Sequence, residues 1–311
     1  MEVSNEPVTQ STQVSSENAT KNTIKPAKTA SERNWLDFLV RLFKNRTALI
    51  GIFLLALVVG AAIFAPWVAP FPPDKLGTGP RLQGPTLAHL FGTDALGRDL
   101  FSRIIYGSQT ALQAGVITIG IATIAGTLVG LVAGFYGGWV DVVLMRFIDL
   151  LLAFPSIFLA LLVLAVLGPG LTNGIIAIGI STIPGFARIV RGTVLTVKAQ
   201  DYVLAARATG STNSRILFKT IFPNTLAPII VLSTLVFPAA VLASAGLSFI
   251  GLGAQPPSPD WGAQLVDGEV YLRTAPWLFN FPGLAIFVTV MGSNLLGNAL
   301  RDLLDPQQRG R

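Results

Sequence analysis

Residues 49–67 read Leu-Ile-Gly-Ile-Phe-Leu-Leu-Ala-Leu-Val-Val-Gly-Ala-Ala-Ile-Phe-Ala-Pro-Trp, without one charged side chain. A helix crossing a hydrocarbon core of about 30 Å needs about 20 such residues at 1.5 Å each. Five further stretches repeat the pattern: residues 111–135, 142–167, 171–190, 226–252 and 277–300. A charge at mid-span costs about 2.5–3.5 kcal/mol on the insertion scale, so their near-freedom from charge is a selection for lipid. Composition agrees. Apolar residues make up 51% of the 311-residue chain and charged residues 12%, about half the usual fraction in a soluble protein. Too few charges remain to cover a water-facing surface. The chain is also too apolar for bulk disorder. An all-α, polytopic membrane protein with six transmembrane helices follows.

Six spans, an even number, place both termini on one side. Seventeen of the 22 Lys and Arg residues fall in the N-terminal tail, the turn holding Arg146, the segment after span four and the C-terminal tail. The positive-inside rule therefore assigns these, and both termini, to the cytoplasm. Two longer connections, about 68–110 and 253–276, and a short one near Gly168 then lie outside. A secretory signal peptide is a poor reading of span one, because over 40 residues precede it and its apolar run exceeds the 7–15 residues of an h-region. Residues 1–34 are rich in Ser, Thr, Asn, Gln, Glu and Lys and read as a disordered cytoplasmic tail. Over 35–47, Trp35, Phe38, Leu39, Leu42 and Phe43 recur at helical spacing beside Arg41, Lys44 and Arg46. This fits an amphipathic juxtamembrane helix on the membrane lipid, or a plain continuation of span one. The membrane domain proper occupies 48–306, and 307–311 form a C-terminal tail.

Several classes of chemistry are excluded. The chain has no Cys and one His, His89, so disulfides, thiolate nucleophiles and Cys- or His-rich metal sites are out. No Gly-x4-Gly-Lys-Ser/Thr stretch is present, so the chain should not hydrolyse ATP. No His-Glu-x-x-His motif and no Ser/His/Asp set points to catalysis. The net charge of +6 orients the chain; without a basic run carrying interleaved aromatics, it does not indicate nucleic acid. Gly126, Gly130 and Gly134 stand on one helical face, which reads as close packing rather than ligand contact. Pro155, Pro184 and Pro238 each remove a backbone bond inside a span.

The most informative polar stretch is Asp201-Tyr-Val-Leu-Ala-Ala-Arg-Ala-Thr-Gly210, followed by Ser-Thr-Asn-Ser-Arg-Ile-Leu-Phe-Lys-Thr-Ile-Phe-Pro223-Asn224. It reads as a short helix stopped at Gly210, a cap at Ser211 or Thr212, and a second short helix ended by Pro223. Small residues Ala205, Ala206 and Ala208 would let the first helix enter a groove. An ordinary solvated loop with capped helices is the alternative.

The pattern Leu204-Ala205-Ala206-x3-Gly210, with Pro223 thirteen residues on, resembles the EAA loop of ABC-importer permease subunits. The family's Glu is Leu204 here, and the usual basic or His position near the end is Thr220. Further blocks resemble the same group. They are Phe91-Gly-Thr-Asp-Ala-Leu-Gly-Arg-Asp99 with Ser102, Arg103, Tyr106 and Gly107; Gly137-Gly138-Trp139-x-Asp141 with Arg146, Asp149 and Phe154-Pro155; Ala187-Arg188-x-x-Arg191-Gly192; Leu247-Ser-Phe-Ile-Gly-Leu-Gly253 with Trp261-Gly262; and Arg301-Asp302-x-x-Asp305-Pro306. In order and over about 35–306, they identify the chain as similar to C-type permease subunits of dipeptide, oligopeptide and nickel importers. The resemblance implies a type I ABC importer permease with a cytoplasmic coupling helix, multi-pass in a bacterial or archaeal plasma (inner) membrane. It implies a second homologous permease subunit as heterodimer partner, two cytoplasmic ATPase subunits and an extracytoplasmic solute-binding protein. ATP and Mg would be bound in the partner subunits, with no cofactor or metal in this chain. Residues expected to dock the ATPase are Asp201, Tyr202, Leu204, Ala205, Ala206, Arg207, Gly210, Arg215 and Pro223. The substrate class would be di- or oligopeptides, with nickel or another small solute as the family alternative. An autonomous channel or secondary carrier, or a scaffold without transport, are readings from other classes.

Single residues remain to be weighed. Asp149 with Arg146 one turn before it suggests an i, i+3 ion pair. Arg188 and Arg191 mark the inner interface or a gate. Asn294 and Asn298 would hydrogen-bond between helices. Asp94, Arg98, Asp99 and Arg103 form an exterior, helix-like charged patch that either meets a partner or satisfies itself. His89 is expected to be solvated.

Overall fold

The structure, a computed structural model, describes residues 41–304. The tails expected over 1–34 and 307–311, and the first part of the helix expected over 35–47, lie outside these residues. Residues 41–44 are helical, and Asn45 then caps α1 (Arg46–Val68) by accepting from the Thr47 and Ala48 N–H groups. The other helices are α2 (Leu100–Tyr136), α3 (Gly138–Leu152), α4 (Ser156–Leu167), α5 (Leu171–Lys198), α6 (Asp201–Ala208), α7 (Asn213–Phe249), α8 (Trp261–Glu269) and α9 (Trp277–Leu304). Of these, α1, α2, α5, α7 and α9 are long and apolar enough to cross a membrane. The pair α3 and α4 meets the same standard only when taken together, and it is bent by 91° at residues 153–155, as a broken span or a re-entrant loop is. No strand occurs among the described residues. The six apolar runs are thus all helical, five as single membrane-length helices and the sixth as this bent pair.

The bundle is organised around α2 and α5. A Cβ added at Gly126 would lie 2.4 Å from Phe186 Cβ, at Gly130 2.7 Å from the Ala187 carbonyl oxygen, and at Gly134 2.8 Å from Val194 Cγ1. The glycine face is thus a backbone-to-backbone contact, and Thr118 adds a hydroxyl donation to the Ile175 carbonyl. The same device joins α1 to α9, where a Cβ at Gly51 would sit 2.7 Å from Leu296 N and one at Gly292 2.9 Å from Leu54 Cβ. In lipid there is no hydrophobic drive between helices, so such close approach supplies the dispersion energy instead.

Three features depart from the sequence reading. Span two begins eleven residues earlier than its apolar run, because Asp99 caps α2 through the Ser102 N–H at 2.8 Å. Span three is broken rather than continuous. Pro155 has no N–H for the ladder, and α4 restarts with Phe158 and Leu159 N–H groups bonding the Pro155 carbonyl. Third, Pro223 does not end a helix. Residues Ile216–Ile221 are π-helical, the Phe222 N–H bonds the Leu217 carbonyl, and α7 runs through to Phe249 with Pro223 in its first α turn. The wider turns fall where proline withdraws a donor, and they bring Ile216, Leu217 and Ile221 together on the buried side.

At the end of the bundle opposite α6, residues 69–99 and 250–276 build a folded cap, and α8 lies within it. Trp261 is buried and donates through Nε1 to the Ile104 carbonyl at 3.0 Å. Phe91 stacks on Phe281 at 4.0 Å. Asp260 caps α8 by accepting from the Ala263 N–H at 3.0 Å and is 4% exposed. Burial pushes its carboxyl above the usual carboxylate range, offset in part by bonds from the Ala263 and Gly262 N–H groups and the Ser248 hydroxyl.

Four substitutions are read by thermal unfolding of the purified protein in mild detergent. Gly130→Leu forces α2 from α5 and should cost about 1–3 kcal/mol or more. Gly120→Leu, whose added Cβ meets nothing within 4 Å, should stay within about 0.5 kcal/mol. Asp260→Ala should lose about 1 kcal/mol with its cap, whereas Asp260→Asn keeps a capping oxygen. Because the folded pKa of Asp260 is raised, its ionisation opposes folding, and stability falls as pH rises from the unfolded pKa through the folded one. The Asn variant should therefore gain on the wild type between pH 4 and pH 7; a constant difference would contradict this.

Candidate functional site

The segment joining α5 to α7 is the first candidate. After Lys198, only Ala199 and Gln200 separate α5 from α6. Gly210 takes φ +76°. The Ser211 N–H bonds the Ala206 carbonyl at 3.1 Å and the Gly210 N–H bonds the Arg207 carbonyl at 2.9 Å. This pair of bonds is a Schellman stop, and it needs the left-handed conformation that glycine adopts without strain. Thr212 then caps the next turn through the Arg215 N–H at 3.4 Å.

α6 has two unlike faces. Val203 is fully buried in a core with Leu131, Phe135, Val190, Val194, Ile216, Leu217, Ile221 and Ile229, and Ala206 packs against it. Asp201, Tyr202, Leu204, Ala205, Arg207, Thr209 and Gly210 are exposed, with Tyr202 at 46% and Leu204 at 53%. Arg215 and Pro223 are exposed on the start of α7. The expected docking residues are therefore exposed, except Ala206, which is half-buried against the core. Val203 escaped the sequence reading. Its apolar side chain amid Ala, Arg and Asp was the available signal, but its partners are up to 72 positions away in sequence.

The charged side chains near the same end form two bridges from α3 to α5. Arg191 grips Asp141 with both Nε and Nη2, each at 2.5 Å from a carboxylate oxygen. Arg188 pairs with Asp149. The local Arg146–Asp149 pair is not formed. The crossing of α5 over α3 offers Asp149 a guanidinium from another helix, and Arg146 is exposed. Lys198 donates to the Phe135 carbonyl at 2.6 Å and the Gly134 carbonyl at 3.4 Å, satisfying carbonyls at the C-terminal end of α2. The interhelical bonds expected of Asn294 and Asn298 are not formed among the described residues.

The cap holds the second charged group, and it is no helix-like surface patch. Gly92 and Gly97 turn at φ +82° and +71°, folding residues 92–99 back so that Thr93 and Asp99 bridge. Asp94, Arg98, Asp99 and Arg103 are all at most 7% exposed. Arg98 Nε meets Asp94 Oδ2 at 2.5 Å. Arg103 donates to the carbonyls of Pro73 at 2.9 Å, Pro257 at 3.3 Å and Ser258 at 3.3 Å, tying both cap segments to α2. Burial raises the Asp267 carboxyl, against the pull of Arg103 and Arg98. His89 is not solvated: it is 5% exposed, lies 2.9 Å from Asp99 through Nδ1 and stacks on Phe71. A buried, self-satisfied network is a positioning device for the cap, since each charge is matched where water is excluded.

Between α4, α5 and α7 runs an open groove of about 360 Å³, with Ser156, Ala160, Ser181, Gly185, Val236 and Ala239 among its walls. No charged side chain lines it.

Comparison with known proteins gives a consistent result. Residues 126–310 match the family described as binding-protein-dependent transport system inner membrane component, and residues 34–85 match the N-terminal TM domain of oligopeptide transport permease C. The dipeptide transport system permease protein DppC of Alkalihalophilus pseudofirmus is 45% identical over 275 residues, covering 88% of this chain and 90% of the relative. The glutathione transport system permease protein GsiD of Escherichia coli strain 536 is 45% identical over 277 residues, covering 89% and 91%. The di/tripeptide transport system permease protein DppC of Pseudomonas aeruginosa is 44% identical over 269 residues, covering 85% and 89%. Among solved structures, an amino acid ABC transporter with histidines aligns at a TM-score of 0.50 and 21% identity, covering 65% of this chain and 94% of that one, a likeness of fold alone. With a match over more than half its length and such identity over most of the rest, this chain belongs to the family of binding-protein-dependent transport system inner membrane components, as a multi-pass inner-membrane permease and not an ATPase.

Proposed function

We propose that this chain is the translocation subunit of an ATP-driven, binding-protein-dependent importer of di- or oligopeptides, with α6 as the helix that engages its ATPase. The observation that carries the reading is the division of α6: Val203 locks one face into the bundle, while Tyr202, Leu204, Ala205 and Arg207 stand out on the other. A rigidly mounted helix with an unpaired face transmits displacement. A loose loop would absorb it. Three relatives named for dipeptide, di/tripeptide and glutathione transport favour short peptides over nickel. An autonomous channel or carrier would need an ion pathway of its own, and the groove between α4, α5 and α7 offers only apolar and hydroxyl groups.

The partners on this reading are a second, homologous permease in a heterodimer, two ATPase subunits that hold ATP and Mg, and an extracytoplasmic solute-binding protein. Both termini and α6 are cytoplasmic, as the Lys and Arg distribution requires, and the cap faces the binding protein. Closure of the ATPase pair on ATP moves α6, and through α5 and α7 the bundle alternates between inward- and outward-facing states. ATP shifts that equilibrium only by its differential affinity for the two states. With Leu204 where the family has Glu, the contact at that position is made by apolar burial rather than charge.

Mild-detergent purification of the tagged chain should bring down a second six-span permease and a Walker-motif ATPase; recovery alone, with ATP-independent transport in vesicles, would overturn the reading. Ala205→Trp should lower peptide uptake about tenfold at normal abundance in the membrane, a loss in the usual range of coupling energies. Gly210→Val, which places a β-branched residue at φ +76°, should uncouple transport likewise. Normal uptake in both variants would count against docking through α6.

A further inference from the structure

Of the two helices after α2, α4 packs on α5 and α7 through Ala160 and Leu164, in a core with Ala177, Ile178 and Leu247, whereas α3 is weakly held for a membrane element. Ile148 is the one buried side chain of α3, and its Trp139, Val142, Val143, Phe147 and Leu150 are exposed. It leaves α2 through Gly137 and Gly138, at φ +67° and +55°, a turn that sets direction without adding packing. What fixes α3 beyond Ile148 is ionic: Asp141 to Arg191 and Asp149 to Arg188. Arg188 and Arg191 lie one turn apart on α5, so the two bridges fasten α3 near both ends of the span between residues 141 and 149. The same helix sends Lys198 to the Gly134 and Phe135 carbonyls, just before the turn. Two cations on the last part of α5, Arg191 and Lys198, thus grip the α2–α3 elbow while Arg188 holds α3 further along, and α5 passes into α6 two residues after Lys198.

An interdigitated core moves as one body and releases only at high cost, whereas matched charges near water exchange partners readily. We infer that the Arg191–Asp141 and Arg188–Asp149 pairs are a latch that fastens α3 to the end of α5, so that displacement of α6 carries α3 with it and reaches the groove that its last residue, Leu152, lines. The four side chains are positioning residues. They touch neither nucleotide nor substrate and act through the helix they hold. The Arg191–Asp141 bridge is the main one, because a two-pronged guanidinium fixes orientation as well as distance. It is also the better shielded, with Asp141 at 16% and Arg191 at 31% side-chain exposure against 46% and 57% for Asp149 and Arg188.

This inference rests on α6 being the docking helix, and its test separates the two. The whole complex is reconstituted in vesicles with its binding protein, and ATP hydrolysis and uptake of a labelled dipeptide are read from the same preparation. Asp141→Arg and Arg191→Asp should each lower dipeptide taken up per ATP hydrolysed by about tenfold. The double variant D141R/R191D, which restores the pair with reversed polarity, should return that ratio to within about twofold of wild type. Asp149→Asn, at an exposed position that cannot unfold the bundle, should lower the ratio in the same direction. The latch is overturned if the ratio is unchanged in all variants, or if the reversed pair shows no rescue and Asp149→Asn no loss. Ala205→Trp is run alongside. If it uncouples while the latch variants do not, the latch alone fails; if it too transports normally, the docking role of α6 fails first.

Discussion

Gly126, Gly130 and Gly134 let the backbones of α2 and α5 meet without intervening side chains, and the other elements take their places from that contact. Phe186, Val190 and Val194 fill the seam. Because the seam continues to Val194, the end of α5 is fixed close to the end of α2. Lys198 then reaches the α2 carbonyls, and Val203 reaches the core below them. Had the helices been held apart by larger residues, the anchoring face of α6 would have no core to enter. The hydrophobic effect does not select partners among helices already in lipid, so shape complementarity at small residues carries that specificity.

The cap obeys other rules. It is built from loops, so its backbone groups cannot satisfy one another in a ladder and must find side chains. Asp99 serves His89, Ser102 and the start of α2 at once. Arg103 serves three carbonyls from two segments. Buried charges so densely matched hold one arrangement well and tolerate the loss of a member poorly.

What could be read from the sequence follows from range. Spans, caps and the Gly210 stop are decided by residues within one or two turns of each other; the Gly210 stop and the Thr212 cap are as expected, and five of the six apolar runs fall on single helices. The glycine stripe was readable as a packing face because helical period alone places Gly126, Gly130 and Gly134 together. Contacts between distant segments were not readable. Asp149 has a plausible partner three residues away and takes Arg188, 39 positions on. His89 sits in a polar loop and is enclosed by chain folded over it. The 91° break at residues 153–155 was signalled by Pro155, but proline is tolerated in many membrane helices, and only the packing of α4 on α5 determines the angle. The π-helical turns before Pro223 were likewise invisible, since no local rule demands them.

At 37 residues, α2 extends about 55 Å at 1.5 Å per residue, well beyond a hydrocarbon core of about 30 Å. It begins inside the cap and ends at the Gly137 turn beside Lys198, with no proline anywhere along it. One unbroken helical ladder therefore joins the cap to the elbow beside the α5–α6 junction. On the function proposed above, a partner seated on the cap and one seated on α6 would meet the two ends of this one helix, and thermodynamic linkage would then require each to alter the other's binding by the same factor.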